Sequence, residues 1–133
     1  MKLVDASVAL KWLVKEVNSD KALALPATGP LIAPDLLWTE VANGLWRKAA
    51  RGDIDATSAL AVLPVLDAMI DERVSSSDVT RAALGLAMEL QHPVYDCVYL
   101  ALARQRDIPL VTADERLINK IRAIELDVEI ELL

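Results

Sequence analysis

Short apolar runs recur along the chain, and each is followed by a longer stretch in which Ala and Leu are spaced to line one face of a helix. The runs Leu3-Val4, Leu31-Ile32-Ala33 and Leu110-Val111-Thr112 predict strands, with a weak one at Arg73-Val74-Ser75 and another at Asp127-Val128-Glu129-Ile130. The stretches between them, 6–15, 18–25, 35–51, 55–71, 78–91, 95–107 and 114–123, predict helices. Asp35, Asp55, Asp78 and Asp114 stand where helix starts want a capping acceptor, and Gly52 stands where the third helix should end. Pro64 falls inside 55–71 and predicts a kink or a break. Strands alternating with helices imply a mostly parallel sheet of about 4–5 short strands, covered by helices on both faces. A sheet built this way carries its site at the carboxyl ends of its strands, where strand order reverses.

No repeat, low-complexity stretch or Gly/Ser linker divides the 133 residues, so one domain, 1–133, is expected. A hydrophobic content of 54% excludes a disordered chain. With 20 acids against 14 bases and a net charge of −6, bulk charge cannot be what grips a nucleic acid. The single cysteine, Cys97, excludes an internal disulfide, and with His92 as the one histidine a Cys/His zinc site is excluded as well. No apolar run approaches the ~18 residues of a membrane helix, and Asp5 comes too early for a signal peptide. A soluble cytoplasmic protein with no membrane partner is expected.

Four acids stand where burial should disfavour charge. Asp5 follows Leu3-Val4 and Asp114 follows Leu110-Val111-Thr112-Ala113, so parallel strands would put both at one sheet edge. Asp96 opens a helix that is otherwise apolar nearly all round, and Glu40 interrupts the inward stripe formed by Leu36, Leu37, Val41 and Leu45. Taken singly, each aspartate can be read as a helix cap, and Glu40 as a side chain that reaches the rim or pairs with an arginine. Taken together, carboxylates converging without His or Cys form a hard oxygen site suited to Mg²⁺ or Mn²⁺. Ser7 and Thr112 lie two residues from Asp5 and Asp114, where a hydroxyl can hold a carboxylate or serve a local turn.

Four segments now carry a resemblance. Asp5-Ala6-Ser7-Val8-Ala9, Thr39-Glu40-Val41-Ala42-Asn43, Tyr95-Asp96-Cys97-Val98-Tyr99-Leu100-Ala101-Leu102-Ala103 and Thr112-Ala113-Asp114-Glu115-Arg116-Leu117 stand in the order and spacing of a PIN-domain nuclease. More narrowly, the chain resembles a VapC-type toxin over essentially its whole length. The resemblance implies an α/β/α sandwich and an Mg²⁺- or Mn²⁺-dependent endoribonuclease, the toxin of a type II toxin–antitoxin pair. It makes Asp5, Glu40, Asp96 and Asp114 the metal-binding acids, with Thr112 as a helper and Ser7 at a position that is often hydroxylated. It further implies RNA as substrate, a VapB-like antitoxin as partner, and often a homodimer. Hydrolysis of the phosphodiester would leave a 5′-phosphate and a 3′-hydroxyl.

For the substrate, Arg116 is the expected phosphate contact because it lies nearest in sequence to a proposed ligand; Arg47, Lys48 and Arg51, and Lys11 with Lys15, are further basic clusters that also fit a solvated face. Trp12, Trp38 and Trp46 are expected in the core or at an interface, and helices 18–25 and 55–71 carry enough apolar residues for a second buried face, which predicts a helix-mediated homodimer. Rival readings stay open. A housekeeping RNA-processing nuclease would share every motif. A haloacid-dehalogenase-type phosphatase wants a second Asp where Ser7 stands, a receiver domain needs its acceptor later than residue 5, and a non-enzymatic α/β module would use its acids only as caps. Metal charge at the site would offset the acidic balance and favour a basic segment on a protein partner.

Overall fold

The computed structural model describes all of residues 1–133. Five parallel strands form one sheet in the order β3-β2-β1-β4-β5, where β1 is Lys2–Val4, β2 Leu31–Pro34, β3 Glu72–Val74, β4 Leu110–Thr112 and β5 Ile130–Leu132. Between β1 and β2 lie α1 (Ala6–Leu13) and α2 (Ser19–Ala24). Between β2 and β3 lie α3 (Leu36–Ala50), α4 (Ala56–Val62) and α5 (Leu66–Met69). Then α6 (Thr80–Leu90) and α7 (Val94–Arg106) precede β4, and α8 (Glu115–Ala123) precedes β5. Right-handed crossovers put α1–α5 over one face and α6–α8 over the other. The expected sandwich is therefore the observed one, and its fully buried central strands explain why they read as plain apolar runs rather than alternations.

The chain leaves β1 toward β2 and β3 on one side, and later returns to place β4 and β5 on the other. The strand order thus reverses between β1 and β4, so the crevice beyond their carboxyl ends is the natural site. One core of 30 buried residues runs through both layers. Most of α7 belongs to it, with Cys97 through Ala103 buried without a break. Gly44 has a specific purpose: a Cβ there would meet Leu10 Cδ2 at 3.0 Å, so the glycine lets α3 lie close against α1. No helix is long and apolar enough to cross a membrane.

Several local expectations shift. Pro64 does break the fourth helical stretch, as a 3-10 turn at Leu63–Val65. The last strand is Ile130–Leu132 rather than 127–130, because its register is set by pairing with Leu110–Thr112 and not by its own β-branched residues. Of the expected caps, Asp55 accepts from the Ser58 amide and Asp114 caps α8. Asp35 instead reaches across to the amide and hydroxyl of Ser76, tying the start of α3 to the loop after β3. Asp78 ends a 3-10 turn, and α6 begins at Thr80 without a side-chain cap.

Candidate active site

Asp5 follows β1 directly and caps α1, its Oδ1 accepting from the Val8 amide at 3.2 Å. The same oxygen accepts the Ser7 hydroxyl at 2.5 Å, while Oδ2 accepts the Thr112 hydroxyl from the end of β4 at 2.5 Å. Thr112 is wholly buried, and its oxygen also accepts from the Asp114 amide at 3.0 Å. Ser7 accepts from the Ala113 amide at 2.9 Å. One hydroxyl from each side of the strand reversal therefore grips the same carboxylate and also shapes the turn that carries Asp114. Ser7 lines the cleft, but its hydroxyl is spent inside the protein.

Asp114 caps α8 through Oδ1, which accepts from the amides of Arg116 at 3.0 Å and Leu117 at 3.2 Å. Asp5 and Asp114 thus cap helices and also line the cleft. Asp96 lies in the first turn of α7 and does no capping; its Oδ2 meets His92 Nε2 at 2.6 Å. Glu40 sits on α3 beside its buried stripe, and its Oε1 is buried with no hydrogen-bond partner. The buried hydroxyl of Tyr99, from α7, lies near enough to Glu40 to influence its ionisation, yet it too reaches no partner in hydrogen-bond geometry.

The structure brings all four acids to one cleft of about 550 Å³, together with Ser7, Arg47 and Tyr99. Thr112 lies beneath it. The electrostatics follow from that crowding. Burial pushes the Asp5 carboxyl up; the Ser7, Thr112 and Val8 donors pull it down, and the charge of Asp96 pushes it up again, with a net rise. Burial also raises Glu40, opposed by Tyr99 and reinforced by Asp96 and Asp5. Tyr99 is held far above its usual range, first by burial and then by Glu40, so its hydroxyl stays protonated.

The four side chains offer only oxygen, the donor type that Mg²⁺ and Mn²⁺ prefer. An orphaned buried Glu40 Oε1, and two carboxyls, Asp5 and Glu40, raised by burial and by the neighbouring charge of Asp96, are what a divalent cation would relieve, so the residues fit such an ion. No three of them stand at metal-ligand spacing in this structure.

The basic residues sort differently. Lys48 is buried and pairs with Glu16 at 2.7 Å, and Lys11 pairs with the same glutamate at 3.2 Å. Burial alone would raise Glu16, but the two ammonium groups outweigh it and hold its carboxyl low. Arg51 pairs with Asp53 at 3.3 Å. Arg47 lines the acidic cleft and also an adjoining groove of about 950 Å³, where it joins Lys21, Arg116 and the paired Lys11. The pairing of His92 with Asp96 is not among the sequence expectations. Its one sequence signal is the i,i+4 spacing to Asp96 across the start of α7.

A PIN domain model matches residues 2–123. Ribonuclease VapC3 of Pyrobaculum aerophilum is 36% identical over 128 residues, spanning 93% of this chain and 98% of that protein. Among solved structures, PAE2754 from Pyrobaculum aerophilum superposes with a TM-score of 0.70 at 26% identity, covering 90% of this chain and 84% of that one. A toxin-antitoxin complex from Klebsiella pneumoniae shares the fold with a TM-score of 0.59 at 18% identity, covering 86% and 87% of the two chains. The chain belongs to the PIN-domain family and, within it, to the VapC group.

Proposed function

We propose that this chain is a divalent-metal-dependent endoribonuclease, the toxin of a type II toxin–antitoxin pair. The observation that carries the reading is the meeting of Asp5, Glu40, Asp96 and Asp114 in one cleft at the strand reversal. These four acids would hold Mg²⁺ or Mn²⁺, which when bound polarises a phosphate and activates water for its hydrolysis.

The chain's own groups supply the rest. Ser7 and Thr112 lock Asp5 in one orientation, so the acid is organised before substrate arrives. Glu40, whose carboxyl is raised above the ordinary glutamate value by burial and by the charges of Asp96 and Asp5, is suited to accept a proton from a water in the cleft. Arg47 and Arg116 line the groove that leaves the acidic cleft, and supply positive charge along a path for the flanking phosphates. This answers how a chain of net charge −6 approaches RNA: the attraction is local.

An antitoxin of the VapB kind and a second copy of the chain are the proposed protein partners. The VapC kinship supports the first. For both, the supporting feature is uncovered apolar surface: α4 buries none of its residues, Leu60 on it is 77% exposed, and Trp46 on α3 is 65% exposed.

The test is cleavage of RNA by the purified chain with Mg²⁺ or Mn²⁺. Activity should vanish with EDTA and fall by orders of magnitude in Asp5→Asn and Asp96→Asn. Full activity in those two variants would refute the site.

A further inference from the structure

We propose that His92 and Lys120 are positioning residues for the site, holding the Asp96 carboxylate in one orientation through an imidazole ring that is engaged at both of its nitrogens. The inference rests on the reading of Asp96 as a metal-holding acid.

His92 sits in the turn between α6 and α7, after Gln91, whose backbone is left-handed at φ 51°. Its amide donates to Ala87 O at 3.1 Å and Pro93 follows it, so the backbone that carries the ring is pinned on both sides. The ring is then held at both nitrogens: Nε2 lies 2.6 Å from Asp96 Oδ2, and Nδ1 lies 2.9 Å from the Lys120 ammonium. Its side chain is only 17% exposed.

The arrangement has a chemical use. A lysine paired directly with Asp96 would compete with a cation for the carboxylate. With an imidazole between them, the positive charge stays one ring away, and only Oδ2 is engaged. Lys120 lies on α8, the helix that Asp114 caps, so the chain Lys120–His92–Asp96 also ties the acid on α7 to the helix behind Asp114. Partners of this kind, standing behind a ligand, typically change metal affinity by about 10–100-fold when removed.

Calorimetric titration of the intact chain with Mn²⁺ is the test, and Lys120→Met, which leaves the ring held at one nitrogen, should weaken binding. His92→Leu should weaken binding about tenfold or more, and His92→Gln, which keeps an N–H donor near the Nε2 position, should recover most of it. Unchanged affinity in His92→Leu would overturn the positioning role alone. A wild-type chain that binds no Mn²⁺ would overturn the metal reading and, with it, this inference.

Discussion

Thr112 donates its hydroxyl to the Asp5 carboxylate at 2.5 Å, joining the ends of two neighbouring parallel strands from 107 residues apart in the chain. Thr112 is fully buried, and its oxygen also receives the Asp114 amide. Replacing it with valine keeps the shape but strands a buried carboxylate oxygen and a backbone N–H. Thr112→Val should therefore cost about 1–3 kcal/mol in urea unfolding and should also lower RNA cleavage. Thr112→Ser should restore most of both, and a Thr112→Val chain as stable as wild type would show that this bond contributes nothing.

Glu40 gives a prediction with a defined sign. Burial first, and the charges of Asp96 and Asp5 after it, raise its folded-state pKa above the ordinary glutamate value. The folded chain then holds this proton more tightly than the unfolded one. Its contribution to stability is fully present below the ordinary value and is lost as pH rises through the folded-state pKa. In EDTA, Glu40→Gln should melt above wild type at neutral pH, with the gap closing as pH falls below the ordinary carboxylate range. Mn²⁺ should raise the Tm of wild type more than that of the variant. A gap that does not change with pH would contradict the assignment.

Arg116 and Arg47 line the groove beside the acids. If each meets one phosphate of single-stranded RNA, replacing either with Gln should reduce the slope of log K against log salt by about 0.7. Binding measured by fluorescence anisotropy across a salt series checks this. Lys48→Gln is the contrast: its ammonium is already paired with Glu16, so stability should fall while the salt slope stays put.

Trp46 is 65% exposed on α3, the helix that packs against the uncovered α4. Trp46→Glu should shift a self-associating chain toward monomer in light scattering, leaving far-UV circular dichroism unchanged. A monomer for both chains at high micromolar concentration would remove the homodimer from the proposal.

Legibility followed the range of the interaction. The helices and four of the strands could be placed because propensity, proline and cap residues act within a turn or two. The last strand was misplaced because its position depends on its pairing with β4, which no local signal encodes. Asp35 looked like a cap and became a tether to Ser76, a residue 41 positions away. The four acids were visible because each breaks an apolar run or closes a strand, a conflict between charge and burial that needs no partner to be noticed.

By itself, the amino-acid sequence determined the alternation of elements, the apolar core and which carboxylates are out of place, since these depend on the chemistry of neighbouring residues. Tertiary structure alone decided that Ser7 and Thr112 share one carboxylate, that Glu16 consumes two of the lysines, and that Lys120 reaches His92 across 28 residues. The physical reason is that hydrogen bonds and ion pairs form only over a few ångströms. Which groups come within that reach is set by strand order and helix packing, not by distance along the chain.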